Sequence, residues 1–234
     1  MMKLITNGKI LAPQPLPEGV GILIEGEKIK AVAPVTQFSS SIQRIDAQGK
    51  SVIPGLIDVH IHGSFGSDTM DHEQQSLSKI SQFLAKQGVT SFLPTTVASS
   101  NSEILAAIER TGAYHRHSPA SRVLGVHIEG PYLQDKYRGA QEAQFLRAAH
   151  PEEYLPWLKS GMVKLITVAP EIEGVLDLIE TGQKMDIRFA VGHSNATYET
   201  VIMAVERGLS QATHTFNAMP PLHHRKPGVL GAVL

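Results

Sequence analysis

Cysteine is absent from this 234-residue chain, which excludes disulfides and thiolate metal sites and fits a reducing compartment. Any metal must therefore take nitrogen and oxygen ligands. No run approaches the roughly 20 apolar residues of a membrane span. The amino-terminal stretch "MMKLITNGKILAPQP" lacks an apolar core of signal-peptide length and reaches Pro13 early. The expectation is a cytoplasmic soluble protein. An excess of one charge is missing too. Lys and Arg number 21 against 22 Asp and Glu, a formal net charge of -1, so neither nucleic acid nor an anionic membrane is indicated and a small ligand is expected. No low-complexity tract, charge block or short internal repeat is present. What remains is 42% hydrophobic and 18% charged, ordinary globular composition sufficient for one large domain or one domain with a small appendage.

Two textures divide the chain. Residues 1–50 read as a small β-rich, sandwich-like domain of short strands, "KLITNGKIL", "GVGILIEGEKIKAVAP" and "IQRIDAQGKSVIPG". Asn-Gly, Gly-Glu and Pro-containing turns join these strands mainly as hairpins. Residues 51–234 alternate apolar strands with helical patterns. The strands are "GLIDVHIHG", "VTSFLPTT", "RVLGVHIEG", "MVKLITVAP", "IRFAVGHS" and "QATHTF". Helices are expected near 73–87, 102–115, 174–181 and 198–207, with a mixed helical and loop region up to Ser160. Buried strands written as near-continuous apolar runs between helices indicate α/β architecture with a parallel sheet.

In "DVHIHG" the period of a strand puts His60 and His62 on one face and Val59 and Ile61 on the other. Four of the six strands end in ligand-type residues: His60 and His62, Glu129 in "VHIEG", His193 in "AVGHS" and His214 in "ATHTF". In a parallel barrel, functional groups gather where the strands finish, so these five residues meet in one site. Histidines and a carboxylate without cysteine suit Zn, Fe, Mn or a similar divalent ion, one or two per chain, with positions left for water and substrate. That is a hydrolase arrangement. His127, two residues before Glu129, faces the same side and reads either as a support for the ligands or as a satisfied core histidine. His72, His115, His117 and His150 read as surface residues.

These motifs resemble the amidohydrolase superfamily, in which "PGLIDVHIHG" follows a small β-rich region and ligands occupy successive barrel strands. Within it "HIEGPYL", "VGHSNA" and "THTFNAMPPLHHRKPGVLGAVL" are similar to the N-acetylglucosamine-6-phosphate deacetylases. The resemblance covers essentially the whole chain. It implies a TIM-type (β/α)8 barrel and metal ligation by Glu129, His193 and His214. His60 and His62 match a His pair that builds a second metal position in part of that family. Implied substrate contacts are Ala140, Gln141, Asn217, Ala218 and Arg225; glutamine stands at 141 where many relatives have histidine. The implied reaction removes acetate from N-acetylglucosamine 6-phosphate, a sugar-phosphate substrate.

The family's catalytic aspartate would lie beyond Leu234, so no catalytic acid is assigned in this chain. A full barrel takes about 250 residues, whereas 180 follow Pro54 and hold about six βα units. An incomplete barrel with open strand edges, and hence a homo-oligomer, is the expectation. Two other readings stand beside it: an amidohydrolase acting on a cyclic amide or aminated base, and a non-catalytic fragment that binds metal or sugar phosphate.

Overall fold

The computed structural model describes residues 1–11, 13–73, 75–116, 118 and 120–234; His117, read above as a surface residue, lies outside the described residues. Two compact units make up the chain, Met1–Gly55 and Leu56–Leu234.

The first unit is built from six short strands: β1 (Met2–Thr6), β2 (Lys9–Ile10), β3 (Val20–Glu25), β4 (Lys28–Pro34), β5 (Gln43–Asp46) and β6 (Ser51–Val52). Only Gly26 and Glu27 separate β3 from β4, and Gly26 takes the left-handed φ of 61° that such a two-residue connection requires. Among the described residues, Leu4, Ile10, Ile22 and Leu23 are its buried hydrophobic side chains. The expectation of hairpins holds only for this turn. Asn7-Gly8 does not fold β2 back onto β1: β1 pairs antiparallel with β3 and parallel with β5, while β2 pairs parallel with β6. The cause is side-chain chemistry. Asn7 donates its amide to Asp46 Oδ1 at 2.8 Å and its carbonyl accepts from Gly49, which turns the chain into a second ladder.

In the second unit the hydrophobic period switches between 2 and 3.6. Its elements run β7 (Leu56–Ile61), β8 (Gly63–Ser64), β9 (Ser67–Asp68), α1 (Ser76–Lys86), β10 (Val89–Pro94), α2 (Asn101–His115), β11 (Arg122–Val123), β12 (Val126–Glu129), α3 (Pro151–Lys159), β13 (Val163–Val168), α4 (Val175–Gln183), β14 (Arg188–Val191), α5 (Tyr198–Glu206), β15 (Leu209–Ala212) and α6 (Gly228–Val233). Helices α1, α2 and α4 bury residues at three- and four-residue steps, such as Leu77, Ile80 and Leu84. Ser100 and Thr197 cap α2 and α5 through their hydroxyls. Helix α1 starts three residues later than expected, because Asp71 Oδ2 accepts from Asp68 N and Ser76 Oγ and holds the preceding turn. The short β8–β9 hairpin and α6 have no counterpart in the sequence reading.

All long strands here are parallel. β7, β10 and β11 form one ladder, β12 through β15 another, and a parallel bridge from Thr95 to His127 joins them. β11 and β12 are two halves of the one strand expected over "RVLGVHIEG", interrupted at Leu124 and Gly125; counted as one, six strands follow in chain order, each succeeded by a helix, which is the winding of a TIM-type barrel. The central strands β12, β13 and β14 are buried on both faces, whereas β7 and β15 at the two ends of the series are largely exposed. Toward the helices, Val126, Ile128, Ile166, Val168, Phe189 and Val191 pack with Ile104, Trp157, Leu178 and Val201. Toward the interior, Leu93, Leu165 and Ala190 form a small apolar layer. His127, Glu129 and Thr167 alternate with the helix-facing residues and are buried without belonging to the apolar core. Among the described residues no helix is long and apolar enough to cross a membrane.

Candidate metal centre

Strand alternation and strand ends deliver the donors. His60 lies in β7 and His62 just past it, Glu129 is the last residue of β12, and His193 and His214 stand two residues beyond β14 and β15. Both of these last histidines adopt left-handed backbone, with φ of 49° and 32°. That conformation costs a non-glycine residue roughly 1–2 kcal/mol. Strand ladder bonds offset it: Gly192 N donates to the Val168 carbonyl and Thr213 N to that of Val191.

Glu129, 1% exposed, is the hub. Its Oε1 lies 3.2 Å from His193 Nε2, 3.3 Å from His214 Nε2 and 3.8 Å from His60 Nε2. Its Oε2 lies 3.1 Å from His62 Nε2 and accepts from Gln141 Nε2 at 2.7 Å. His193 and His214 bring their Nε2 atoms within 3.1 Å of each other. Ligand atoms of His60, Glu129 and His214 lie within 4.8 Å of one another, so this group could hold a metal ion.

Tautomers make the arrangement specific. His62 Nδ1 is 3.2 Å from the Thr95 carbonyl, His193 Nδ1 2.9 Å from that of Tyr137, and His214 Nδ1 3.2 Å from that of Asn217. A carbonyl only accepts, so each Nδ1 carries the hydrogen and each neutral ring turns an Nε2 lone pair inward. Lone pairs that face each other and a carboxylate call for a positive charge between them. Donors about 2.0–2.1 Å from a tetrahedral ion stand about 3.3 Å apart. The separations of 3.1, 3.2 and 3.3 Å among Glu129, His193 and His214 match that edge, so this donor set fits a divalent ion.

In the absence of an ion the positive charge is a proton on Nε2, which the ring then donates to Glu129. Burial alone would push the Glu129 carboxyl up, but hydrogen bonds with His193, His214 and His62 outweigh it and hold the group far below the usual carboxylate range. His214 is raised, chiefly by its hydrogen bond to Glu129. In His62 burial opposes the charge and the bond to Glu129 overcomes it, so this ring is raised as well. His60 is lowered by burial, against the pull of Glu129.

His127 touches neither Glu129 nor the donor triangle. Its Nδ1 meets the Val59 carbonyl at 2.8 Å and lies 3.3 Å from His60 Nδ1, while Nε2 meets Thr167 Oγ1 at 2.7 Å. Thr167 continues to Thr213 Oγ1 at 2.6 Å. These two threonines, with Thr95 and the Tyr137 carbonyl, are contacts that the sequence reading missed; a threonine in an apolar run reads as a strand former, and a loop carbonyl leaves no mark at all.

The residues expected to meet substrate scatter more. Ala140, Asn217 and Arg225 are exposed and Ala218 is half-buried. The loop from His214 to Ala218 carries left-handed backbone at His214, Phe216 and Ala218, and the Ala218 carbonyl accepts from Ser194 N. Gln141 is 5% exposed, and both ends of its amide are bonded within the protein, to Glu129 Oε2 and Ala98 N. His72, His115 and His150 are exposed, His72 lying 3.2 Å from Glu103.

Parallel strands in chain order that carry histidines and one carboxylate to their carboxyl ends define a class, the metal-binding α/β barrels. Residues 51–232 match the amidohydrolase family, and the chain belongs to that family. It is 35% identical over 218 residues to an N-acetylglucosamine-6-phosphate deacetylase of Bacillus subtilis, covering 90% of this chain and 55% of that one. A relative from Escherichia coli named N-acetylgalactosamine-6-phosphate deacetylase is 34% identical over 206 residues, 87% of this chain and 54% of its own. The crystal structure of the Pasteurella multocida N-acetylglucosamine-6-phosphate deacetylase superposes with a TM-score of 0.93 at 32% identity, over 99% of this chain and 62% of that one. The chain thus spans about half the length of these curated relatives.

Proposed function

We propose that the chain carries the metal centre of a deacetylase that hydrolyses the acetamide of N-acetylglucosamine 6-phosphate to glucosamine 6-phosphate and acetate. The observation that carries this reading is the triangle of Glu129 Oε1, His193 Nε2 and His214 Nε2, with edges of 3.1 to 3.3 Å. The relatives' names support the substrate class. When bound, a divalent ion such as Zn, Fe or Mn supplies Lewis acidity toward the amide carbonyl and acidifies a water.

The protein's own groups do the rest. Glu129 keeps its charge and balances that of the ion. His62 and His60 face the hub from β7, where they orient Glu129 or take a second ion, and His127 supports His60 from beneath. Arg225, exposed in the loop before α6, presents paired N–H donors to the phosphate oxygens. Ala140 follows Gly139, where a Cβ would stand 3.5 Å from His193 Cε1, and so flanks the substrate beside the ring. Asn217 and Ala218 flank it on the His214 side, their carbonyls accepting from His214 Nδ1 and Ser194 N. The exposed apolar side chains Leu56, Ile57 and Val59 of β7 support self-association, and the lack of cysteine supports a cytoplasmic setting.

The test is acetate release by the metal-loaded protein from N-acetylglucosamine 6-phosphate, its galactosamine epimer and unphosphorylated N-acetylglucosamine, with ring opening of a cyclic amide measured beside them. The first substrate is expected to react fastest. Preference for the cyclic amide, or for the unphosphorylated sugar over its phosphate, would contradict the reading.

A further inference from the structure

Gln141 stands in the loop between β12 and α3, twelve residues past the hub of the metal centre. Its amide has one orientation only. The Ala98 backbone N–H can do nothing but donate, and it lies 2.7 Å from Oε1, so Nε2 must be the atom 2.7 Å from Glu129 Oε2. Without that bond the carboxylate would be loosely held, because the terminal torsion of a glutamate is broad and roughly two-fold. With it, Oε2 is pinned and Oε1 is turned to His193 and His214.

The backbone around Gln141 is itself braced. Arg138 Nη1 donates to the Gln141 carbonyl at 2.9 Å, and Gln141 N donates back to the Arg138 carbonyl at 3.0 Å. The same loop grips a second donor, since Tyr137 offers its carbonyl to His193 Nδ1 and Gln134 N donates to the His193 carbonyl. Residues 134–141 therefore hold Glu129 and His193 together.

We propose that Gln141 is a positioning residue of the metal centre: its amide N–H sets the rotation of the Glu129 carboxylate and so sets how tightly the ion is held. The inference rests on the reading of the centre as a metal site. It moves Gln141 from the substrate contacts to the support of a ligand. Groups that orient ligating residues in this way typically change metal affinity by about 10- to 100-fold.

The experiment measures Co2+ affinity by chelator competition, together with the visible absorption of the bound Co2+, in wild type, Gln141→Met, Gln141→His and Arg138→Met. Methionine fills the space but neither donates to Glu129 nor accepts from Ala98. Histidine restores an N–H toward Glu129 without restoring the carbonyl that receives Ala98. Gln141→Met is expected to bind about 10- to 100-fold more weakly with an altered spectrum, and Gln141→His to return within about threefold of wild type. Gln141→Met at wild-type affinity, or Gln141→His no better than methionine, overturns the proposal; the second result would make Gln141 a loop anchor acting through Ala98. Should Gln141→Met not fold, Arg138→Met carries the test, since Arg138 is partly exposed and braces the same loop. It is expected to bind about three- to tenfold more weakly, and wild-type affinity there overturns the proposal as well. A wild-type protein that binds no Co2+ overturns the metal reading itself, an outcome distinct from equal binding by wild type and variants.

Discussion

Replacing Thr167 with valine deletes one hydroxyl and leaves the side-chain shape nearly unchanged, which isolates the hydrogen-bond chain beneath the metal centre. Burial, with His60 close by, pushes His127 down to about 3, so its ring is neutral near pH 7. Its Nδ1 donates to the Val59 carbonyl at 2.8 Å, and Nε2 therefore accepts. Thr167 must donate to that nitrogen at 2.7 Å and accept from Thr213 at 2.6 Å. In Thr167→Val both His127 Nε2 and the Thr213 hydroxyl lose their partners, at residues 1% and 6% exposed. An orphaned buried polar group costs about 1–3 kcal/mol, so the pair together costs about 2–6 kcal/mol. Thr213→Val removes only the terminal donor and costs about 0.5–1.5 kcal/mol. For a chain of this size the first loss lowers Tm by about 4–24 °C. The assay is thermal unfolding followed by the fluorescence of Trp157, the one tryptophan of the chain. A Thr167→Val protein no less stable than Thr213→Val would refute the assigned direction of the chain.

Arg225→Ala is expected to weaken use of N-acetylglucosamine 6-phosphate roughly 10- to 100-fold, from the loss of a charge-assisted hydrogen bond, and to leave the unphosphorylated sugar unchanged. Equal losses in KM for both sugars would mean that Arg225 does not read phosphate. A Cβ on Gly192 would stand 2.6 Å from Thr167 Cγ2 and 3.0 Å from Thr213 Cβ. Gly192→Ala should therefore cost about 1–3 kcal/mol and displace the turn that aims His193. Urea unfolding checks it, and wild-type stability would show that the turn has room to spare.

What was legible in the sequence is what periodicity carries. Apolar runs separated by helical patterns gave six parallel strands, and the two-residue period of "DVHIHG" and "VHIEG" put His60, His62 and Glu129 on interior faces. Side-chain bonds between distant segments were not legible. Asn-Gly between two apolar segments has the composition of a hairpin turn, yet the bond from Asn7 to Asp46 sends the chain elsewhere. Gln141 has the composition of a polar loop residue, and only its distance to Glu129 reveals the clamp. Thr167 and Thr213 meet because β13 and β15 both flank β14, a neighbourhood set by sheet order and not by sequence spacing.

Metal binding by Glu129, His193 and His214 is the centre of the account, and its most direct test is the metal content and affinity of the purified protein beside its His193→Ala, His214→Ala and His62→Ala variants. Structural Zn sites hold their ion with about 10–16 kcal/mol, roughly 2.5–4 kcal/mol for each of four donors. Loss of one donor therefore weakens binding about 100- to 1,000-fold. At least one ion per chain is predicted for wild type, with losses of that size in His193→Ala and His214→Ala. His62→Ala, whose ring meets the other oxygen of Glu129, is predicted to stay within about tenfold of wild type. Loss of the ion in His62→Ala with full retention in both His193→Ala and His214→Ala would contradict the account.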